Sequence, residues 1–198
     1  MPRTRKAEVR QDLVDTTVGI PWARVGAYVI DWALSGILTG LPEVVIFNLV
    51  SGTHDLFSDL YAFGALGLPA AWAYLCAALS LVLFLCYYLW IPLRVYPGQT
   101  PGKRICHLKI ARMDEGGLDA RTLFLREVVG LLLIESSATI MGPYLRQALT
   151  LATGVYLEGI LAWIGAVLFM VSSIMVFALR GQRAIHDRIA GTRVVGTA

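Results

Sequence analysis

The chain has 198 residues, 57% of them apolar and only 16% charged, with a net charge of +3 and a mean hydropathy of +0.65. That balance is too apolar for an ordinary water-soluble domain, and nucleic acid is not an expected partner. Three cysteines, Cys76 and Cys86 inside an apolar run and Cys106 in a basic loop, argue against a disulfide framework.

Residues 1–23 are polar and basic, with Arg3, Arg5, Lys6 and Arg10, and read as a cytoplasmic tail without a secretory signal. A first membrane span is predicted over 24–41, with Pro42 marking a kink or an exit. It opens on Arg24 and carries Asp31 within. The two lie nearly two helical turns apart, so they share a face and are separated by about 10 Å along the axis. Tyr28, Ser35, Thr39 and Glu43 continue that face. A charge at the centre of a lipid-exposed helix costs about 2.5–3.5 kcal/mol, so the row is expected to look into protein or into water held by protein. Gly36 and Gly40 form a small-residue pair suited to close helix approach or self-association.

An acidic loop follows over 51–68, with His54, Asp55 and Asp59 and no lysine or arginine. Span two, 69–91, has no charge and ends on Tyr87, Tyr88 and Trp90, as an interfacial aromatic belt does. Residues 92–119 form the one sizeable polar insertion. Its Pro97-Gly-Gln-Thr-Pro-Gly102 run is turn chemistry, and Cys106, Leu108 and Ile110 alternate with polar neighbours as in a strand, predicting a hairpin or a strand with an interfacial turn. Span three, 121–145, is amphipathic, with Glu127, Leu131, Glu135, Thr139, Gly142 and Arg146 on one side. Span four, 154–179, is apolar apart from Glu158. The tail 181–198 begins with a helical piece around His186-Asp187-Arg188, has Gly191 as its stop, and offers Val194-Val195 for a further strand. The expected fold is an all-α membrane protein, a four-transmembrane-helix bundle over 24–180 with a short cytoplasmic β insertion between spans two and three.

Lysine and arginine counts orient it. The N-terminal tail through Arg24 has five, the 92–126 segment seven and the C-terminal tail four, against Arg146 alone in the two remaining loops. Positive-inside placement then puts both termini in the cytoplasm of a multi-pass inner-membrane protein.

The motifs argue against familiar enzyme chemistry. Gly98-Gln-Thr-Pro-Gly102-Lys103-Arg104 lacks the glycine spacing and the hydroxyl residue of a phosphate-binding loop, so it reads as a basic turn for anionic lipid headgroups through Lys103 and Arg104. His54, His107 and His186 have no ligand-spaced partners, no nucleophile elbow is present, and neither a metal, a cofactor nor an enzymatic activity is expected. The buried charges support two readings. In one, Arg24 and Asp31, with Arg126 or Glu127, form a permanent network locking helices together. In the other, Asp31 and Glu135, with Glu127, titrate: burial and a nearby arginine pull a carboxyl in opposite directions, and an acid balanced between them can exchange a proton for a cation.

Four stretches together resemble the RDD family of small integral membrane proteins: Ala23-Arg24-Val-Gly-Ala-Tyr-Val-Ile-Asp31; Gly98 to Arg104 leading into Leu108-Lys-Ile110; Arg126; and Ile185-His-Asp187-Arg-Ile-Ala-Gly-Thr192-Arg-Val-Val195. The family is named for an arginine at the start of its first span and two aspartates, which the resemblance places at Arg24, Asp31 and Asp187. It implies transport of unidentified ligands, sodium/proton antiport as one instance, or service as an accessory subunit of membrane proteolysis or quality control. Shorter members have fewer spans than the four expected here. The leading expectation is therefore a transporter of monovalent cations and protons, with Asp31, Glu135 and Glu127 as the binding carboxylates and Arg24, Arg126 and Asp187 as a gating network. Four spans are few for alternating access, so a homo-oligomer is expected. The alternative is a non-catalytic membrane adaptor, in which surfaces over 102–122 and 183–195, including His186, dock a membrane-protein partner.

Overall fold

A computed structural model of the chain describes residues 20–54, 59–114 and 116–197. The basic tail before residue 20 and Asp55 lie outside the described residues. Among the described residues, three helices are long and apolar enough to cross a membrane, within Pro21–Ser51, Ala70–Val95 and Glu158–Ala178. The first, α1 (Ile20–Ser51), continues past Pro42, so of the two expectations at that proline the exit is excluded and 43–50 extend the helix. Proline removes one backbone donor. Hydroxyl side chains are at hand to bond the backbone in this turn: Thr39 Oγ1 donates to the Ser35 carbonyl at 2.8 Å, and Ser80 Oγ to the Thr39 carbonyl at 2.6 Å.

A short helix α2 (Leu60–Ala65), capped by Asp59, leads into α3 (Ala70–Leu85), which widens into a π-helical stretch, Cys86–Val95. A one-turn helix α4 (Pro101–Ile105) and the strand β1 (Leu108–Arg112) make up the polar insertion. The chain then enters α5 (Ala120–Leu123), continues as a π-helix over Phe124–Ile134, breaks at a 3₁₀ turn, Ser136–Ala138, and resumes as α6 (Met141–Thr153). The helix α7 (Glu158–Ala178) returns along the bundle. It is followed by α8 (Ile185–Ile189) and the strand β2 (Thr192–Gly196).

Two expectations are corrected. The insertion does not close on itself as a hairpin: β1 pairs antiparallel with β2, Ile110 opposite Val194 and Arg112 opposite Thr192. The C-terminal tail is thus built into the fold, because Leu108, Ile110 and Val194 can bury their apolar face only by pairing across it. Nor is 121–145 one helix. At the 3₁₀ turn that interrupts the ladder, the Ser136 carbonyl and hydroxyl accept from Arg146 Nη1 and the Ser137 hydroxyl donates to the Ala162 carbonyl.

The distribution of polarity is inverted. On α1, Asp31, Ser35, Thr39 and Glu43 are 4% exposed or less, whereas Val29 is 54% and Leu49 79% exposed. The outer faces of α3, its π-helical continuation and α7 carry Leu79, Val82, Trp90, Trp163, Met170 and Ile174. A water-soluble chain buries its apolar residues first. Polar groups inside and hydrocarbon side chains outside suit a bilayer as solvent. Gly36 and Gly40 do not reach this outer face. A Cβ at Gly36 would collide with Ile140, and one at Gly40 would stand 3.7 Å from the Tyr144 hydroxyl, so the small pair serves the approach of α6 within the chain.

Candidate functional site: a charged cavity at one end of the bundle

The start of α1, the α4–β1 insertion, the π-helical stretch Phe124–Ile134 and α8 converge at one end of the bundle, and three charged clusters meet there around a cavity of about 350 Å³.

The first cluster centres on Asp31. Its Oδ1 accepts from the Tyr87 hydroxyl at 2.7 Å and the Gly102 N–H at 2.8 Å; its Oδ2 accepts from the Thr100 hydroxyl at 2.5 Å and faces Lys103 Nζ at 3.6 Å. Thr100 is also the N-cap of α4, and Pro101 starts that helix, so one turn of chain supplies two donors and a cation. Gly102 is required by closeness. A Cβ there would overlap the Ala27 carbonyl and lie 2.8 Å from the Asp31 carboxyl carbon.

The second cluster centres on Asp187. Arg24 Nη2 donates to Oδ2 at 2.6 Å, Arg126 donates to Oδ1 through Nη2 at 2.9 Å and Nε at 3.2 Å, and the Ala184 N–H caps Oδ2 at 3.0 Å. Arg24 Nη1 also reaches the Gln182 carbonyl at 2.6 Å, and Arg126 Nη1 pairs with Glu127 Oε1. Burial alone would raise the Asp187 carboxyl. Arg126, then Arg24 and His186, outweigh it and hold the group far below the usual carboxylate range.

The third is Glu135, at the end of the π-helical stretch. Its Oε1 accepts the His186 backbone N–H at 2.9 Å and stands 2.9 Å from His186 Nδ1. Gly130 allows this, since a Cβ there would sit 2.6 Å from His186 Cβ. Glu127 lines the same cavity, and its Oε2 is buried with no hydrogen-bond partner among the described residues.

The structure therefore gathers Arg24, Asp31, Glu127, Glu135, Arg126, Asp187, Lys103 and His186 in one place, but not in the expected pairs. Arg24 bonds Asp187, not Asp31; Asp31 takes Lys103. Lys103 and His186, expected to face lipid or a partner, point into the cluster, because a buried carboxylate needs donors within reach. Arg104 stays exposed, its guanidinium 3.9 Å over the Tyr96 ring. The sequence reading missed Tyr87, Thr100 and the Gly102 N–H as partners of Asp31. A threonine just ahead of Pro-Gly at the start of a turn was the available signal, since such a residue aims both its hydroxyl and the next free N–H groups one way.

The model of the RDD family matches residues 18–191, from the start of α1 through α8 and so across all three clusters. The chain belongs to the RDD family. It is 25% identical over 174 residues to the uncharacterized protein YckC of Bacillus subtilis (strain 168), a match covering 87% of this chain and 81% of that protein. No solved structure matches. For this RDD protein, the arginine and two aspartates singled out by the resemblance fall in separate polar clusters beside one cavity: Arg24 with Asp187, and Asp31 on its own side with Lys103.

Proposed function

We propose that this RDD protein is a membrane carrier exchanging a monovalent cation for a proton at the charged cavity. The observation behind the reading is a count: the clusters set four carboxyl groups, Asp31, Glu127, Glu135 and Asp187, against three fixed cations, Arg24, Lys103 and Arg126. One proton, or one external cation, balances the site. His186 and Glu135, facing each other across 2.9 Å, hold the proton, and the cation replaces it in the cavity. Asp31 and Asp187, each saturated with donors, keep the walls fixed. Arg24 and Arg126 guard the mouth. Residues 120–153 are read as a fourth crossing built of two half-helices. Irregular backbone at membrane depth is tolerated where it lines a cavity, and carriers place ion sites at such breaks. The lysine and arginine counts support a cytoplasmic side for this end and for both termini. Exchange by so few crossings is expected to need a homo-oligomer, and no covalent chemistry is involved.

Proteoliposomes carrying a trapped pH dye test this. A sodium or potassium gradient should drive proton movement, lost in Glu135→Gln. Absence of flux, or flux unchanged in that variant, overturns it. A second reading, a membrane adaptor, draws on Ile105, Met113 and Ile189, which are exposed around the insertion and α8. It predicts co-purification of a membrane partner, lost when these three become serine.

A further inference from the structure

The cavity has a wall that is also the outside of the protein. Val25 and Val29 of α1 and Phe177 of α7 line it, yet they are 39%, 54% and 49% exposed. The two helices meet there through ring pairs, Trp22 with Phe177 at 5.4 Å between centroids and Tyr28 with Phe169 at 5.5 Å. A cavity wall shared with the apolar surface is a sideways opening. Val29 lies about 13 Å along α1 from its first residue, inside the stretch Pro21–Ser51 that is long and apolar enough to cross a membrane, so a guest entering beside it comes from the lipid side of that helix.

Inside, the fixed cations are already spoken for. Arg24, Arg126 and Lys103 each face a carboxylate, and Asp31 and Asp187 accept from several donors. The open valence is an acceptor: Glu127 Oε2, on a residue with 0% exposure, has no partner among the described residues. A guest arriving from the hydrocarbon must have an apolar body, and the group it presents to Glu127 must be a donor and preferably a cation. Tyr28, Tyr88 and Phe169 line the cavity beside it, and aromatic faces favour cations. A space of about 350 Å³ suits an ammonium head and a few methylenes, but not a whole lipid.

We infer that the cavity binds a membrane-soluble primary amine, its ammonium donating to Glu127 Oε2 and its alkyl or acyl chain leaving between α1 and α7. A quaternary ammonium would bring the charge without the donor. An anionic amphiphile would meet Glu127 and Glu135 instead of a counter-ion. Binding of this guest goes beyond cation exchange and requires no flux.

The test uses the full chain in phosphatidylcholine nanodiscs at pH 7, titrated with radiolabelled dodecylamine. Saturable binding of one amine per chain is expected, weakened at least tenfold in Glu127→Gln and in Val29→Trp, which fills the opening. Dodecyltrimethylammonium should compete at least tenfold less well than dodecylamine, and dodecyl sulfate and methylammonium hardly at all. No saturable binding, binding unaffected by Val29→Trp, or equal competition by dodecyl sulfate overturns the inference. Glu127→Gln leaves Arg126 with one anion fewer and risks misfolding; Val29→Trp changes a half-exposed apolar position at the cavity wall, outside the charged clusters, and keeps the test decisive. Native mass spectrometry of protein drawn from mixed ethanolamine and choline phospholipid assigns the source. Selective retention of the ethanolamine lipid makes the guest a phospholipid head, and dodecylamine binding without it makes the guest a free amine. Proton flux without dodecylamine binding overturns this inference alone, and binding without flux overturns the exchange reading alone.

Discussion

Arg24 and Asp187 are 163 positions apart in the chain and 2.6 Å apart in space, so the first turn of α1 is tied to the C-terminal helix α8 by a single ion pair. Asp187 is shared with Arg126, whose side chain is 2% exposed against 11% for Arg24. Removing the shared anion leaves Arg24 without a carboxylate and the deeply buried Arg126 with Glu127 alone. Asp187→Asn is therefore expected to cost roughly 3–5 kcal/mol, and Arg24→Gln clearly less, because Arg126 keeps the carboxylate paired. Thermal unfolding in mild detergent measures both. Equal losses would mean that Asp187 does not bridge the two arginines.

The same carboxyl carries a pH signature. A carboxylate depressed in the folded state contributes stability that is fully present above its unfolded pKa, about 3.9, and disappears as pH falls toward the folded value. Burial opposes ionisation at Asp187, but Arg126, Arg24 and His186 more than reverse that. The stability gap between the wild-type chain and Asp187→Asn should accordingly stay constant from pH 5 to 8 and narrow below about pH 4. A gap that closes between pH 6 and 8 would place the group in the neutral range and contradict the network.

At Asp31 the sensitive element is the approach of α4. Gly102→Ala would drive a Cβ into the Ala27 carbonyl, a backbone atom that cannot rotate away, and would displace the N–H now bonded to Asp31. Overpacking of this kind costs about 1–3 kcal/mol, with more from the lost charge-assisted bond. Thr100→Val removes one donor without moving the backbone and is expected to lose about 1.5–3 kcal/mol. Melting temperatures of the two variants, compared with Arg104→Ala on the exposed side of the same helix, give the check; a large loss in Arg104→Ala would contradict the assignment.

Much of this was legible in the sequence and some was not, for physical reasons. The sheltered face of α1 follows from helical spacing, since Asp31, Ser35, Thr39 and Glu43 recur on one side and lipid excludes them. The site could be located because Arg24, Asp31, Arg126 and Asp187 are charged in an apolar chain. Which carboxylate took which cation was not legible, since partners such as Arg24 and Asp187 are set by folding of the whole chain. The strand over Leu108–Arg112 shows in the alternation of its residues, but a strand's partner is a non-local fact, and the β2 partners lie 80 to 88 positions away. The break after Ile134 was hidden because Glu135, Thr139 and Gly142 keep a helical rhythm across it.

That break supplies a final prediction, because two glycines beside it are crowded by different kinds of neighbour. A Cβ at Gly142 would collide with the carbonyl oxygen of Ser136, in the interrupted backbone itself, which Arg146 Nη1 also holds at 3.3 Å. A Cβ at Gly36 would collide with Cδ1 of Ile140, the free end of a side chain that can change rotamer. Similar overlap should therefore have unequal cost: Gly142→Ala roughly 1–3 kcal/mol or more, Gly36→Ala below about 1 kcal/mol. Both are read by thermal unfolding in detergent, with limited proteolysis reporting whether the turn at 136–138 opens. If Gly36→Ala were the more damaging and also dissociated an oligomer, the small pair would be serving contacts between chains, and the close approach of α6 to α1 would have to be redrawn.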